Sequence, residues 1–404
     1  MIKLNGKYLT TLLLVAVVSF VTMGAALSYN LSKQEGTKTL SLPPDEALHF
    51  ESELQPPEVV SIKTIEGETR QVEGCVGNKI VSFYSDRLNG TTLYDLDNGE
   101  ENLICLDNTI LRNSGTVGMF SISQDKSKII LQDDNSSDLG EAFGVYVYDT
   151  NNESIVKIAD ISEEFNVRTT KSISESLSIN YSTYNCDGWS VDGERVIYCI
   201  KDTDKNIFNF FIYNLKTGST EKHSLKNSKT NFMLISMPKL SADGKYLYFI
   251  GHFEESPLVG NLFRIDLTQK NKKAEWLSDH AEYYYLFDDD RRIIFTDTVI
   301  DSPKRNIYML DTLTTEEKVL VENPFSLFDI SADGNKILYT YKSDNAIEVR
   351  IAYLENDGII NSTTIYSSGP NEYISMAFWN HDGSKIIVRG GFGKNHVIEL
   401  RYKN

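Results

Sequence analysis

The sequence predicts an all-β fold, a β-propeller of about seven four-stranded blades. Three observations favour it: a turn signature centred on Asp-Gly recurs along the chain, short strands rich in Val, Ile, Tyr and Phe flank each turn, and a third strand follows each pair. Six or eight blades are the alternatives, because loop insertions vary the length of each copy. One N-terminal hydrophobic helix is expected to precede the propeller.

The repeat is an apolar strand, a tight turn and a second strand of Ile, Leu, Val and Tyr. Six copies carry a turn aspartate, and a degenerate seventh copy spans 75–83; the aspartates stand at 125, 192, 243, 289, 333 and 382. Their spacings of 67, 51, 46, 44 and 49 suit blades of about 40–45 residues with insertions. Asp caps the bend through its side chain, and Gly accepts the positive φ.

Ring closure can also be predicted. A β-sandwich is the alternative for such hairpins, but it rarely repeats one turn signature at a near-constant period. The last copy ends after three strands and lacks an outer one, while the segment 58–64 belongs to no other copy. We therefore expect this segment to pair with the last strand and close the ring.

The repeats resemble the TolB-type, WD-like propeller repeat, with an apolar residue or Trp, then Ser, a variable residue and Asp-Gly. The copies that carry it best are Trp189-Ser190 with Asp192-Gly193, Ser241 with Asp243-Gly244, Ser331 with Asp333-Gly334, and Trp379 with Asp382-Gly383. The resemblance implies a fold and little more, because that repeat serves binding proteins and non-catalytic peptidase propellers. The chain departs from TolB itself, since the polar stretch before residue 58 leaves no room for its separate N-terminal domain.

The N-terminal segment predicts an extracytoplasmic location. Lys3 and Lys7 precede an apolar run over 8–27, which is long enough to cross a bilayer as a helix. Residues 1–28 are therefore a signal anchor or a cleaved signal peptide, 29–57 a polar linker, and 58–404 the propeller. The expected location is the cell membrane, with one span and the C-terminal domain outside; a secreted or periplasmic protein is the alternative.

Charge and cysteines limit the partners and the chemistry. A net charge of −17 makes nucleic acid a poor partner. If the hairpin centres on Asp192-Gly193, Cys186 and Cys199 face one another as a disulfide candidate; a bulge would break that register. Pairing of Cys75 with Cys105 stays open. Neither CxxC nor another metal-ligand spacing occurs, so we expect no metal and no cofactor.

No catalytic motif is recognisable, and the candidate ligand-binding residues lie on the variable loops opposite the Asp-Gly turns. They are acidic or aromatic side chains with one histidine: Asp133, Asp134, Asp202, Asp204, His252, Phe253, Glu254, Glu255, Asp297, Asp301 and Phe392. The leading hypothesis is a membrane-associated propeller that binds a protein or an envelope polymer. The alternatives are a glycosidase- or lyase-type enzyme that uses channel carboxylates, and a structural scaffold of the envelope.

Overall fold

The computed structural model of the chain describes residues 55–66, 71–84, 90–104, 116–134, 144–160, 184–202, 205–226, 232–287, 291–297, 305–325, 328–355, 358–369, 372–391 and 394–402. The predicted N-terminal helix and membrane segment lie outside these ranges. Within them, no helix has the length and apolar character that a membrane crossing requires.

The described chain forms 28 β-strands. The first strands along the chain are β1 (Glu58–Glu66), β2 (Gln71–Val76), β3 (Lys79–Tyr84), β4 (Gly90–Asp95), β5 (Glu101–Leu103), β6 (Thr116–Ile122), β7 (Lys128–Asp134), β8 (Gly144–Asp149), β9 (Ser154–Asp160), β10 (Tyr184–Ser190) and β11 (Arg195–Asp202). The central strands are β12 (Ile207–Asn214), β13 (Thr220–Lys226), β14 (Phe232–Leu240), β15 (Tyr246–Phe253), β16 (Ser256–Asp266), β17 (Ala274–Ser278), β18 (Ala281–Leu286) and β19 (Arg292–Asp297). The last strands are β20 (Asn306–Asp311), β21 (Glu317–Glu322), β22 (Asp329–Ile330), β23 (Lys336–Lys342), β24 (Ile347–Glu355), β25 (Gly358–Ser367), β26 (Ile374–Trp379), β27 (Lys385–Gly390) and β28 (Lys394–Arg401).

These strands form a β-propeller, as the repeat predicts. Consecutive strands build the four-stranded sheets β2–β5, β6–β9, β18–β21 and β22–β25, and a fifth four-stranded sheet has the order β1-β28-β27-β26. Strands β10–β17 form one sheet of eight, in which a short parallel contact between β10 and β14 joins two sets of four antiparallel strands. The two strands of each predicted hairpin are therefore adjacent antiparallel strands of one sheet.

The predicted closure of the ring is confirmed. β1 pairs antiparallel with β28, from Glu58 opposite Arg401 to Glu66 opposite Lys394. The start of the propeller thereby supplies the outer strand of its last sheet, which covers an edge that would otherwise expose unpaired backbone groups.

The hydrophobic core lies between neighbouring sheets. The second strand of most sheets is buried on both faces, as in Ile129–Leu131 of β7 and Ile386–Val388 of β27. Such strands need continuous apolar runs rather than alternation, because both of their faces pack against neighbouring sheets. Outer strands such as β13 are largely exposed.

The turn recurs in one form along the chain because the same side-chain hydrogen bonds stabilise each copy. In one copy, the Ser241 hydroxyl donates to Asp243 at 2.8 Å and accepts the Tyr246 N–H at 2.9 Å. The same arrangement recurs with Ser331 and Asp333. The predicted side-chain cap by Asp is thus present, and Ser is the residue that ties the cap to the second strand.

A polar cluster fastens the closing strand. His396 Nε2 lies 2.5 Å from Glu372 Oε1, and His396 Nδ1 lies 3.1 Å from Thr64 Oγ1 of β1. The Tyr366 hydroxyl donates to Glu372 Oε2 at 2.9 Å. Burial raises the pKa of Tyr366 to about 12, with the Glu372 carboxylate adding to the effect. The phenol therefore stays a hydrogen-bond donor near neutral pH, and the cluster links β1, β28 and β25.

We expect Glu372→Gln to reduce the sensitivity of the fold to acid. Burial by itself would raise the pKa of Glu372, but hydrogen bonds from the Gly369 N–H, His396 and Tyr366 outweigh it, and the pKa lies below its usual 4.5. A carboxyl group with a lowered folded-state pKa contributes stability above its unfolded pKa, and that contribution is lost as the pH falls through the folded-state pKa.

The measurement is urea unfolding of the native chain and of Glu372→Gln between pH 6 and about pH 3. The native protein should lose stability more steeply than the variant below about pH 4.5. Exposed Glu317→Gln, on the outer strand β21, is the matched control and should follow the native curve. Equal slopes for the native chain and Glu372→Gln would contradict the assignment.

The register predicted for the Cys186–Cys199 disulfide is wrong. A β-bulge between Asn185 and Gly188 places Asn185, not Cys186, opposite Cys199. The extra residue in the bulge shifts every pair beyond it by one position. Cys75 is a buried free thiol and Cys199 is also buried, while the side chain of Cys186 and all of Cys105 lie outside the described residues.

Candidate functional site

One turn of the propeller departs from the repeat. Between β6 and β7 the sequence is Asp125-Lys126, where the other well-formed copies have Asp-Gly. Lys126 adopts a φ of 57°, which matches the positive φ of Gly193, Gly244 and Gly334 at the same position. A left-handed conformation costs an L-residue about 1–2 kcal/mol, so the surroundings must hold Lys126 in place. We refer to residues 123–127 as the crossing turn.

The crossing turn contacts each of the five other sheets that the described residues form. The Lys126 carbonyl accepts the Gly77 N–H at 2.7 Å, and Gln124 Nε2 donates to the Leu286 carbonyl at 2.9 Å. The three remaining contacts are Lys126 Nζ with Asp329, the Asp125 carbonyl with His381 Nδ1 at 2.5 Å, and the Asp125 carboxylate beside Gly193. A turn that touches all the sheets of a ring lies across its axis. The crossing turn therefore covers the channel on the side of the Asp-Gly turns.

The strongest of these contacts is an ion pair across the ring. Lys126 Nζ lies 3.0 Å from Asp329 Oδ1 and 2.7 Å from Oδ2, and both side chains are largely buried. Each carboxylate oxygen also accepts a backbone N–H, from Ile330 at 3.0 Å and from Trp379 at 2.8 Å. A carboxylate offers about four acceptor positions, so donors of this chain occupy all those of Asp329.

A cavity of about 310 Å³ lies beneath the crossing turn. The first strands of the sheets line it, together with the crossing turn itself. Its aromatic and thioether walls are Trp189, Met237, Tyr283, Tyr285, Phe328, Met376 and Phe378, and its polar groups are Glu73, Cys75, Ser121, Ser123, Gln124, Lys126, Lys239 and Asp329. A mainly apolar concave site with a few convergent polar groups is typical of small-molecule binding.

The irregular strand β14 brings a second ammonium group to this cavity. A bulge between Ser236 and Lys239 places Met237 at a φ of 52°, and the Met237 carbonyl accepts the Tyr284 hydroxyl at 2.6 Å. Lys239 Nζ donates to the Tyr284 carbonyl at 2.8 Å and lies 5.0–5.7 Å from three consecutive tyrosine ring centroids. Cation–π attraction and this hydrogen bond hold the ammonium at the wall.

Two aromatic residues of the lining also carry a hydrogen-bond donor. Trp189 packs into the core between sheets, and its buried Nε1 has no hydrogen-bond partner among the described residues. The Tyr283 hydroxyl likewise makes no hydrogen bond within the described part of the chain. Burial, with the nearby Asp329 carboxylate, raises the pKa of Tyr283 well above its usual value. Tyr283 is therefore a neutral phenol that can donate.

Cys75 is a poor nucleophile in this setting. Its thiol is fully buried, and burial raises the pKa to about 12 even though Lys126 acts in the opposite direction. The thiolate is the reactive form of cysteine, so a thiol with this pKa stays protonated and inert near neutral pH.

None of the loop residues singled out from the sequence lines this cavity. Asp204, Asp301 and Phe392 lie outside the described residues, and Asp133 and Asp134 are described only as backbone of β7. Asp202 pairs with Lys205 of its own hairpin at 2.9 Å. Asp297 accepts the Asn306 N–H at 2.6 Å and is buried, so it holds its own sheet together.

The structure does bring four of the predicted residues together, at the hairpin between β15 and β16. His252 Nδ1 lies 3.2 Å from the Pro257 carbonyl, and Phe253 stacks on Phe232 at 5.4 Å. Glu254 and Glu255 form the turn itself. His252 and Phe253 thus support the hairpin, while the two glutamates remain candidates for contact with a partner.

The described residues contain no cluster of three or more His, Cys, Asp or Glu that could hold a metal ion. Among the residues that line the cavity, the only carboxylates are Glu73 and Asp329. The sequence signal for this site is Lys126, which stands where the other well-formed copies of the turn have glycine. The sequence alone indicated no role for this lysine.

The comparisons support the fold. No family model and no curated protein matches the chain. Among solved structures, an oligogalacturonate lyase in complex with manganese is 12% identical, with a TM-score of 0.51 over 84% of this chain and 91% of that one. The β-propeller domain of the Trilobed protease from Pyrococcus furiosus is also 12% identical, with a TM-score of 0.50 over 84% and 96%.

An oligogalacturonate lyase from Vibrio parahaemolyticus is 10% identical, with a TM-score of 0.50 over 85% of this chain and 98% of that chain. At such identities the likeness concerns architecture only. The TolB type of the repeat stays a prediction. What these similarities show is that the chain is a β-propeller.

Proposed function

We propose that the chain is a seven-bladed, membrane-tethered propeller that binds a small molecule in its channel outside the cytoplasm. The observation that carries this proposal is the cavity beneath the crossing turn, lined by the first strands of the sheets. Its volume lies at the lower end of the range of about 300–1,000 Å³ for small-ligand pockets.

The blade count rests on the eight-stranded sheet. Its two halves meet through only two residue pairs, Trp189 with Lys239 and Ser190 with Leu240. Each half has four antiparallel strands and its own Asp-Gly turn. Counting each half as a blade brings the total to seven, and the parallel contact is then a close approach of two first strands.

The ligand reaches the cavity from the side of the variable loops. The crossing turn obstructs the other side through its contacts with all the sheets. This route assigns the loops a part in selecting or admitting the ligand, while the channel residues hold it. The N-terminal apolar run would tether the chain to the membrane.

We expect Ser121→Trp to abolish ligand binding, because Ser121 lines the cavity and an indole there would occupy much of about 310 Å³. The full-length chain is purified in detergent from its own cells, and the small molecules that it retains are released and identified by mass spectrometry. Ser219→Trp adds the same side chain at an exposed turn and is the matched control.

A compound retained by the native chain and by Ser219→Trp but lost from Ser121→Trp supports the proposal, provided that the melting temperatures agree. Retention by Ser121→Trp would overturn it. A second arm uses the native chain as bait for envelope proteins, with Asp133, Asp134, Glu254 and Glu255 changed to Ala. A protein partner lost only from that variant would place the function on the loops instead.

The enzyme alternative has less support from the channel. A carboxylate that acts as acid or base needs access to the substrate proton, whereas the acceptor positions of Asp329 are filled. This leaves Glu73 as the one other carboxylate among the described residues that line the cavity, where a glycosidase-type pair needs two. Two of the structural neighbours are named as oligogalacturonate lyases. Incubating the purified chain with oligogalacturonate and finding unsaturated products would restore this alternative.

A further inference from the structure

A serine and a histidine form a hydrogen-bonded pair beside the hairpin between β15 and β16. Ser236 Oγ of β14 lies 3.3 Å from His252 Nε2 of β15, and both side chains are partly exposed. The other ring nitrogen, His252 Nδ1, lies 3.2 Å from the Pro257 carbonyl. A hydroxyl, an imidazole and an acceptor behind the imidazole are the parts of a nucleophile–base pair, whose hydrogen bonds are often looser before a substrate binds.

The Pro257 carbonyl fixes the tautomer of His252. A carbonyl oxygen can only accept a hydrogen bond, so the proton of the neutral ring lies on Nδ1 and the lone pair on Nε2. The Ser236 hydroxyl therefore donates to Nε2. Burial lowers the pKa of His252, although the hydrogen bond to Pro257 acts in the opposite direction. Near pH 7 the ring is thus a neutral base that faces the serine proton.

The backbone fixes the positions of both side chains. Gly260 lies opposite His252 in the pairing of β15 with β16, and a Cβ atom there would already touch His252 Cε1 at 3.4 Å. Ser236 precedes a bulge, in which Met237 has a φ of 52° and neither Met237 nor Pro238 has a register partner on β15. In α/β-hydrolases the N–H of the residue after the nucleophile is one of the oxyanion donors, and Met237 holds that place here.

We propose that Ser236 and His252 hydrolyse a small carboxylic ester, with the Met237 N–H as a donor to the carbonyl oxygen. Ser236 Oγ bonds to the ester carbonyl carbon while its proton passes to His252 Nε2. The imidazolium then gives this proton to the alcohol oxygen as the ester C–O bond breaks. Water, deprotonated by His252, releases the acid and restores the serine, so one ester and one water yield one acid and one alcohol. This activity goes beyond the proposed binding function and does not depend on it.

The surroundings of the pair favour a small acyl group. Ile250 lies two positions before His252 on the same face of β15 and is buried in the core shared with β18. On the other side, Glu254, Glu255 and Leu258 of the hairpin are exposed. The pair therefore lies where the packed core ends and the solvent-exposed hairpin begins. A short acyl chain fits at such a boundary, whereas a long chain would have to displace core side chains.

The experiment treats the full-length chain, purified in detergent, with a fluorophosphonate, from whose phosphorus a reactive serine oxygen displaces fluoride. Peptide mass spectrometry locates the modified serine, and hydrolysis of p-nitrophenyl acetate is measured in parallel. We expect Ser236 to be labelled at least about a hundredfold faster than exposed Ser219, since a positioned base contributes about 10²–10⁴-fold. His252→Gln should slow this labelling by a similar factor, and Ser236→Ala should reduce acetate hydrolysis at least about tenfold.

Thr64→Ala is the matched control. Thr64 Oγ1 also lies beside a histidine, 3.1 Å from His396 Nδ1, but it is a secondary hydroxyl on an outer strand, and His396 Nε2 is bonded to Glu372. This variant should leave labelling and hydrolysis unchanged. Loss of hydrolysis on Thr64→Ala, with none on Ser236→Ala, would contradict the assignment of the nucleophile.

A purely structural bond between β14 and β15 predicts a different outcome. Labelling of Ser236 no faster than that of Ser219, or hydrolysis fully retained by Ser236→Ala, would overturn the proposal. Equal rates for the acetate and octanoate esters would overturn the choice of a small acyl group. The labelling rate is measured on the native chain, so the test remains decisive if a variant folds poorly. Retention of a ligand in the channel is measured separately, so failure of one proposal is distinguishable from failure of the other.

Discussion

Replacement of Lys126 by Met should lower the free energy of unfolding by about 3–5 kcal/mol. The substitution leaves the largely buried Asp329 carboxylate without its counter-ion, although two backbone N–H groups still reach it. The measurement is urea and thermal unfolding of the native chain and of Lys126→Met. Because the ion pair joins sheets on different sides of the ring, the loss should appear as destabilisation of the whole propeller.

Two further variants separate charge from backbone strain. Lys126→Met combined with Asp329→Asn should cost less than the sum of the single changes, since the uncharged amide still accepts a backbone N–H. Lys126→Gly should be more stable than Lys126→Ala by about 1 kcal/mol, because glycine adopts the φ of 57° without a steric penalty. Additive double-variant energies, or an alanine variant as stable as the glycine variant, would contradict the role assigned to Lys126.

Removal of β1 should have an effect of similar size. A chain that begins at residue 71 loses eight residue pairs with β28 and the buried side chain of Ile65. With about 0.5 kcal/mol for each residue pair, the lower end for a hydrogen bond, and about 2 kcal/mol for the isoleucine, the loss is on the order of 6 kcal/mol. The exposed edge of β28 should also promote self-association through strand pairing.

The matched control is a chain that begins at residue 55 and keeps β1. Differential scanning calorimetry gives the melting temperatures, and analytical ultracentrifugation gives the association state. The shorter chain should melt at lower temperature and associate, and the control should do neither. Equal melting of the two chains would mean that the pairing of β1 with β28 contributes little to closure.

The architecture was predictable because its signals are local. An Asp-Gly turn between two apolar strands specifies a hairpin within about ten residues, and its recurrence indicates a ring. The unpaired segment 58–64 and the missing outer strand together indicated where the ring closes. The disulfide register was not predictable, since one extra residue in β10 moved Asn185 opposite Cys199. Bulges have a weak sequence signature, and each one shifts all the pairs that follow.

The candidate site was not predictable for a different reason. Lys126 and Asp329 are separated by 203 positions and meet only because the whole ring forms between them. The variable loops instead suggested His252, Phe253 and Asp297 as ligand-binding residues, but the contacts of these residues lie within their own sheets. The informative feature was a break in the repeat, a lysine where the turn requires a positive φ. Deviations from a repeat therefore deserve the same weight as its regularities.

The most direct test of the channel as the ligand site is an experimental structure of the full-length chain, purified with the molecule that it retains from its own cells. Density for that molecule should lie beneath the crossing turn, between the first strands that line the cavity. A molecule bound only on the variable loops, with the channel unchanged, would contradict the account.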